Sequence, residues 1–213
     1  LLENLGGAAL YPYVASHGNG YAVAWTQDDG SGAYSVDANL YSAGSWSSAG
    51  TLLENSDGAL YDVVDRAIAS NGSGYAVAWS QYDGSTYSVY TNIYSGGAWT
   101  IPVVLDNSLN SAIQVTAASD GSGYAIAWQQ GTGLVHDINA SLYSAGAWSA
   151  PILLDNGASD AQTPSAAQFP TGYAVAWHQD DASGNPNIFG SIHAGGVWST
   201  PPAALVQGVW KGS

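Results

Sequence analysis

Gly20-Tyr21-Ala22-Val23-Ala24-Trp25 is a segment that recurs three more times in this chain, at 74–79, 123–128 and 172–177. Each copy is followed by a second tryptophan, which closes a Tyr/His-x-x-Gly-x-Trp element at Trp46, Trp99, Trp148 or Trp198. Equivalent tryptophans are separated by 49 to 54 residues. Internal similarity at this period predicts a repeat architecture, in which equivalent faces and loops occur several times.

Each repeat contains four short segments, A to D, separated by glycine-rich turns. In the second repeat we predict segment A at about 66–70, B at 75–81, C at 87–94 and D at 99–105. Short segments at this spacing are typical of an all-β protein. We therefore predict one domain over 1–213 with four repeats, at approximately 5–55, 56–107, 108–156 and 157–207.

Segment B alternates bulky and small side chains, with Tyr21, Val23 and Trp25 on one face and Ala22 and Ala24 on the other. Both faces are apolar, which predicts stacked sheets whose large side chains enter the space left by the alanines of the next sheet. Four-stranded sheets repeated in this way predict a β-propeller of four blades. Half of an eight-bladed ring formed by dimerisation and a fragment of a larger propeller are the alternatives, and a flat β-solenoid fits the period less well.

The Gly-Tyr-Ala-x-Ala-Trp segment and the Gly-x-Trp-Ser/Thr element together resemble the repeats of secreted bacterial β-propeller proteins with sialidase-like blades. The resemblance covers all four units and implies the architecture, but no single activity. The Ser-x-Asp-x-Gly-x-x-Trp box of sialidases is missing, and Arg66 is the only arginine. Because sialidase-like chemistry needs an arginine cluster for the substrate carboxylate, the resemblance does not extend to that activity.

The charge balance excludes several classes of partner. Sixteen acidic residues face two basic ones, giving a formal net charge of −14. Nucleic acids and anionic membrane surfaces are bound through Lys and Arg, so neither is expected here. No apolar run is long enough to predict membrane insertion, and the absence of cysteine excludes disulfides and thiolate nucleophiles. The low charged fraction favours an extracellular or cell-surface protein of a bacterium.

The acidic residues are expected to gather on one face of the disc. In a propeller the B–C and D–A turns lie on the same face, and fourteen of the sixteen acids fall on or near those turns. A bound calcium ion relieves the repulsion among carboxylates and takes oxygen ligands of this kind. The candidate ligands are Asp28, Asp29, Asp83, Asp180 and Asp181. No loop follows the EF-hand spacing, and solvated acidic turns without a metal are the alternative.

Beside those turns every segment B ends in Trp-x-Gln. An indole face packs against a sugar ring, an amide hydrogen-bonds its hydroxyls, and repetition around the disc adds avidity. The candidate ligand-binding residues are Trp25, Gln27, Trp79, Gln81, Trp128, Gln130, Trp177 and Gln179. The alternative is that the tryptophans pack in the core and the amides fix the turns.

The leading functional prediction is a non-enzymatic binding module that recognises a glycan or a surface protein through these sites. A structural or assembly unit of a longer surface protein is the first alternative, and a homo-oligomer is left open. A hydrolase using Asp180 and Asp181, next to His178, is the second alternative, but adjacent carboxylates rarely converge on one bond. No catalytic residue is therefore predicted, and Arg66 is expected to form an ion pair near the axis with Asp62 or Asp65.

Overall fold

The computed structural model of the protein describes residues 2–3, 6–28, 30, 32–54, 62–106, 110–157, 159–181 and 183–199, and the backbone of 203–206. These residues form twenty β-strands and no α-helix. No helix in this part of the chain is therefore long and apolar enough to span a membrane.

Each repeat forms one antiparallel sheet, or blade, of five strands. Blade 1 contains β1 (Ala9–His17), β2 (Gly20–Asp28), β3 (Tyr34–Ser42), β4 (Ser45–Trp46) and β5 (Thr51–Leu52). Blade 2 contains β6 (Val63–Ser70), β7 (Tyr75–Tyr82), β8 (Tyr87–Ser95), β9 (Ala98–Trp99) and β10 (Val103–Val104). Blade 3 contains β11 (Ser111–Ala118), β12 (Tyr124–Thr132), β13 (Val135–Ser144), β14 (Ala147–Trp148) and β15 (Ile152–Leu153). Blade 4 contains β16 (Ala161–Phe169), β17 (Gly172–Asp180), β18 (Pro186–Ala194), β19 (Val197–Trp198) and β20 (Ala203–Val206).

The prediction of a β-propeller with four blades is confirmed. The first strand of each blade lies innermost, because β6 packs on β1 and on β11, and β11 packs on β16. The second and third strands follow outward in antiparallel register. Segment A of the second repeat starts at Val63, three residues before the predicted start, because an irregularity in the pairing at Val63 to Arg66 does not end the strand.

Segment D was expected as one strand over 99–105, and the structure divides it into two short strands. The residue after each outer tryptophan breaks the ladder, because its hydroxyl takes part in the pairing with the third strand. In blade 2 the amide of Ile93 donates to the Thr100 hydroxyl, 3.1 Å away. The serines of the other blades repeat this contact. The Ser/Thr of the Gly-x-Trp-Ser/Thr element therefore marks the interruption of the outer strand.

The glycine that begins each Gly-Tyr-Ala-x-Ala-Trp segment is required by a close approach of two strands. A Cβ placed on Gly74 would clash with the carbonyl oxygen of Tyr94 on the neighbouring strand. The hydroxyl of Tyr124, from the next blade, lies 3.5 Å from the same position. Gly123 is enclosed in the same way by Tyr143 and Tyr173. The recurring Gly-Tyr pair thus joins each blade to the one that follows it.

The core consists of the spaces between blades. The bulky face of one blade packs on the alanine face of the preceding blade, as the alternation in segment B predicts. Between blades 1 and 2, Val77 and Trp79 pack against Ala24, Ala38 and Leu53. Equivalent clusters join blades 2 and 3 and blades 3 and 4.

Within the described residues, blade 4 and blade 1 do not pack together as the other neighbouring blades do. Neighbouring innermost strands pack together along the series β1, β6, β11 and β16, but β16 and β1 have no comparable contact within the described residues. All four innermost strands nevertheless border one central channel, at Ala15, Ala69, Ala118 and Ala167. The four blades therefore form an arc around this channel.

Candidate functional site

The predicted Trp-x-Gln sites lie in the interior of the protein. At most 4% of the surface of any of their tryptophans is exposed: Trp25, Trp79, Trp128 and Trp177. Their glutamines are buried as well: Gln27, Gln81, Gln130 and Gln179. In every copy the indole Nε1 donates a hydrogen bond of 3.0 or 3.1 Å to the glutamine Oε1. The structure thus gives these eight residues a packing role and leaves no indole face open to the sugar that we expected there.

The amide nitrogen of each of these glutamines donates a hydrogen bond to the chain segment that leads into its blade. Gln81 Nε2 donates to the carboxylate of Glu54, and Gln179 Nε2 donates to Asn156 Oδ1 at 2.9 Å. Gln27 donates instead to the backbone carbonyl of Gly7, at 3.2 Å. A strand-end amide in all four repeats is therefore explained by a buried bridge between the indole and an incoming loop.

A recurring four-residue segment, which we call the tail, reads Leu-Leu-Glu-Asn at 1–4 and 52–55 and has the equivalents Val-Leu-Asp-Asn at 104–107 and Leu-Leu-Asp-Asn at 153–156. The acids of these tails have a structural role that was not predicted. Glu54, Asp106 and Asp155 are buried, although they were counted among the acids of the turn face. Asp106 Oδ1 accepts a hydrogen bond from the Val89 amide at 2.7 Å, and Asp155 Oδ1 accepts one from the Ile138 amide at 3.2 Å. Burial raises the pKa of Asp106 and of Asp155. The signal available in the sequence was the recurrence of an acid directly after the tail leucine.

Two of the candidate calcium ligands hold their own turns together. Asp83 Oδ1 accepts hydrogen bonds from the amides of Ser85 and Thr86, and the bonds from Thr86 and Ser85 lower the pKa of Asp83. Asp181 does the same with the amides of Ser183 and Asn185. These carboxylates are engaged by backbone donors, which is the behaviour of ordinary acidic turns.

The remaining candidate ligands do not complete a metal site. Asp28 Oδ1 accepts from the Gly30 amide at 2.8 Å, the backbone of Asp180 bonds to Ser159 and Asp160, and Asp29 lies outside the described residues. The part of the chain that the structure describes contains no group of three or more His, Asp or Glu side chains that could hold a metal ion. Calcium requires six to eight oxygens in one cage, and the described acids do not assemble such a set.

Arg66 lies at the axial end of the interface between blades 1 and 2, without the expected ion pair. Its Nη1 donates to Thr26 Oγ1 at 3.3 Å, and its Cζ lies 5.0 Å from the centre of the Tyr11 ring. Among the described residues no carboxylate forms a salt bridge with it. Asp65 is engaged elsewhere, since its Oδ2 accepts from the Gln114 amide at 2.6 Å. Burial lowers the pKa of Arg66, which borders a cavity of about 370 Å³.

The innermost strands carry a recurring strained position beside this axis. Tyr11, Gln114 and Thr163 occupy equivalent bulges and have φ between 53° and 56°, a region that residues other than glycine rarely adopt. The amide of Thr163 donates to Gln114 Oε1 at 2.9 Å, much as the amide of Gln114 donates to Asp65. Bulge residues of successive blades are thus linked around the axis.

An aromatic groove with a volume of about 690 Å³ lies between blades 3 and 4. It lies at the end of the blades that carries the A–B and C–D turns. Its walls contain two tilted ring pairs, with centroids 5.2 Å apart in each: Tyr143 with Trp148, and His193 with Trp198. Tyr173, near the start of β17, also lines the groove, and its ring centroid lies 5.9 Å from that of His193. We call this site the aromatic groove.

Polar groups are interspersed among the rings of the aromatic groove. His193 Nδ1 and Trp198 Nε1 are buried atoms without a hydrogen-bond partner in the structure. Asp120 Oδ1 accepts from the amides of Ser122 and Gly123, each 2.9 Å away. Burial of Asp120 acts against its ionisation, but these hydrogen bonds outweigh it and lower the pKa. The groove therefore combines apolar ring faces with one ionised carboxylate, and two ring nitrogens without partners are buried in its walls.

A smaller version of the groove occurs between blades 1 and 2. This cavity, of about 270 Å³, is lined by Tyr41, Tyr75 and Tyr94, which are the repeat equivalents of Tyr143, Tyr173 and His193. The aromatic groove is therefore a feature of the repeat, enlarged between the last two blades.

Neither a scan of known protein families nor a search of curated proteins finds a match to this chain. Solved structures share its fold. A Trypanosoma rangeli sialidase has a TM-score of 0.56 at 10% identity, over 92% of this chain and 38% of that chain. A thermostable family-43 glycoside hydrolase has a TM-score of 0.55 at 13% identity, over 94% and 77% of the two chains. A subtype N10 neuraminidase-like protein of a little yellow-shouldered bat isolate has a TM-score of 0.55 at 9% identity, over 89% of this chain and 61% of that chain. These likenesses confirm a sialidase-like propeller fold and, at such identities, the fold alone.

Proposed function

We propose that this β-propeller is a non-enzymatic carbohydrate-binding module of an extracellular or cell-surface protein, and that the aromatic groove holds the sugar. The observation that carries the proposal is the groove itself, where several aromatic side chains and the Asp120 carboxylate line one cavity. A pocket of mainly apolar walls with a few convergent polar groups is the usual form of a small-ligand site.

The groove matches the chemistry of a sugar ring. Each pyranose offers a C–H face, which packs on an aromatic ring, and hydroxyls around its edge, which need donors and acceptors. Trp148 and Tyr143 supply ring surface on blade 3. His193 and Trp198 supply ring surface on blade 4, and their partnerless Nδ1 and Nε1 atoms are buried in the wall of the groove. Because the pKa of Asp120 is lowered, its carboxylate is an ionised acceptor at neutral pH.

Binding without turnover is favoured by the number of acids in the groove. Glycoside hydrolysis generally uses two carboxyl groups on opposite sides of the scissile bond. Among the residues that line the aromatic groove, Asp120 is the one carboxylate, and its Oδ1 already accepts two backbone hydrogen bonds. The alternative pair of acids, Asp180 and Asp181, includes a carboxylate that holds its own turn.

The proposal is tested by a glycan array of neutral and acidic oligosaccharides, followed by calorimetric titration of the best ligand. We expect His193→Ala and Trp148→Ala to weaken binding at least about tenfold while the fold is preserved by circular dichroism. Trp46→Ala is the matched control, because Trp46 is the blade 1 equivalent of Trp148 and borders neither groove. Absence of binding to any glycan, or equal losses in the control, would contradict the proposal.

A further inference from the structure

Blade 1 exposes part of the bulky face that the other blades bury, although Trp25 on the same face is covered. Tyr21 is 45% exposed, whereas its equivalents Tyr75, Tyr124 and Tyr173 are 3%, 1% and 4% exposed. Val14 on β1 is also exposed. The bulky face of blades 2, 3 and 4 is covered in each case by the preceding blade, and the described structure places no blade against that of blade 1.

Blade 4 exposes the opposite, small-residue face. Ile192 is 51% exposed, whereas its equivalent in blade 2, Ile93, is 4% exposed. Ile188 is 42% exposed, although the residues at the same position of the other blades are fully buried. The exposed surfaces of blade 1 and blade 4 are therefore the two halves of the interface that joins blades within the chain.

We propose that a second copy of this chain docks head-to-tail, with the small-residue face of blade 4 of one copy against the bulky face of blade 1 of the other. The same pair of surfaces already packs together three times in each chain, between blades 1 and 2, 2 and 3, and 3 and 4. The two free faces are the repeat equivalents of surfaces that pack together inside the chain, which makes a copy of this chain the partner that fits both.

An asparagine side chain of blade 1 makes the contact that joins successive blades. Where one blade follows another, Asn92 Nδ2 donates to the carbonyl of Leu53, near the end of the preceding blade, at 2.9 Å. In blade 1 the equivalent Asn39 donates to the carbonyl of Leu2 at 3.0 Å. The tail position at blade 1 is therefore already filled, and a docking copy needs to supply only the blade surface.

The contact is heterologous, because two different faces meet, and such contacts generate closed rings or open filaments. With two copies, the second contact becomes intramolecular once the first has formed, which favours a closed ring through a high effective concentration. The exposed residues that distinguish the two faces are apolar: Tyr21 and Val14 on blade 1, and Ile188 and Ile192 on blade 4. Apolar burial therefore drives the association, independently of the proposed sugar binding.

The test is the mass of the whole chain in solution over a range of concentrations, by sedimentation and light scattering. We expect a species of twice the 21.8 kDa chain mass. Tyr21→Asp on blade 1 and Ile192→Asp on blade 4 should each weaken the association at least about thirtyfold, as charged substitutions at central apolar contacts. Leu134→Asp, at an exposed position of the turn between β12 and β13, is the control and should leave the mass unchanged.

A mixture of the two disrupted variants separates head-to-tail docking from a symmetric contact. The Tyr21→Asp copy keeps an intact blade 4 face, and the Ile192→Asp copy keeps an intact blade 1 face. One undamaged interface therefore remains between them, and the mixture should form a one-to-one complex that neither variant forms alone. A wild-type chain that stays monomeric at every concentration overturns the proposal. A dimer that survives either single substitution, or that the mixture fails to restore, overturns it too.

Discussion

The indole Nε1 of Trp79 donates a hydrogen bond to Oε1 of Gln81, 3.0 Å away, and both side chains are buried between blades. The amide nitrogen of the same glutamine donates to Glu54 of the preceding repeat. Gln81 thus accepts a hydrogen bond from a buried donor on its own strand and donates one to a buried carboxylate of the preceding blade.

We expect Gln81→Leu to lower the free energy of unfolding by about 1–3 kcal/mol, because it leaves the Trp79 indole N–H and the Glu54 carboxylate without this partner. Urea denaturation monitored by tryptophan fluorescence measures the change. Gln168→Leu is the matched control, since Gln168 is exposed and its replacement should change stability by less than about 0.5 kcal/mol. An equal effect of both substitutions would contradict the role given to Gln81.

The sequence contained enough information for the fold but not for the placement of the sites. The alternation of Tyr21, Val23 and Trp25 with alanine predicts sheets stacked face to face, and the structure has them. The same alternation does not predict which face of segment B is exposed to solvent, because both faces are apolar. Whether an indole stacks on a sugar or on the next blade depends on packing between repeats, and the prediction of exposed Trp-x-Gln sites failed to anticipate that packing.

The hydrogen bond between the indole and the amide of the Trp-x-Gln segment could have been predicted from the sequence. Side chains two residues apart on a strand lie on the same face, so an indole donor and an amide acceptor at this spacing are natural partners. The aromatic groove could not be predicted from the spacing of residues in the sequence. It is formed by Tyr143 and Trp148 on one blade and by Tyr173 and His193 on the next, and the separation of these residues in the chain conceals their proximity.

Replacement of the glycine at the start of a repeat segment should be costly. We expect Gly123→Ala to destabilise the protein by about 2 kcal/mol or more, because the new methyl group would clash with the Tyr143 carbonyl, and overpacking costs typically 1–3 kcal/mol. Thermal and urea unfolding measure the loss. Gly6→Ala is the control, since a Cβ at Gly6 meets no atom within 4 Å. A tolerated Gly123→Ala would show that the strands separate easily at this point.

Calcium is expected to leave the thermal stability unchanged. A ligand that binds only the folded state raises the melting temperature by mass action, but Asp83 and Asp181 are engaged by their own turns, and the described residues contain no metal-binding cluster. Calorimetric melting in excess calcium and in excess chelator should therefore give the same Tm, and ionic strength is matched with sodium chloride. A rise of several degrees that calcium alone produces would contradict this expectation and return the acidic turns to consideration as a metal site.

Asp37 should make the stability of the protein depend on pH. Its side chain is buried beside Trp25 on the paired strand, its Oδ2 has no hydrogen-bond partner, and burial raises its pKa to about 6. The unfolded chain has a lower pKa for this carboxyl, near 3.9, so the folded state binds the proton more tightly. Its contribution to stability is therefore greatest at about pH 4 and is lost as the pH rises through 6.

We expect Asp37→Asn to remove that loss. The free energy of unfolding of the variant, relative to that of the wild type, should therefore rise by about 1–3 kcal/mol between pH 4 and pH 7. Urea denaturation of both proteins at a series of pH values measures the difference, which isolates Asp37 from other buried acids such as Asp155. Asp181→Asn is the control: the pKa of Asp181 is lowered by hydrogen bonds from Asn185 and Ser183, so this carboxylate is ionised across the whole interval. A difference between wild type and Asp37→Asn that stays constant from pH 4 to pH 7 would show that Asp37 is ionised in the folded protein throughout, and therefore solvated.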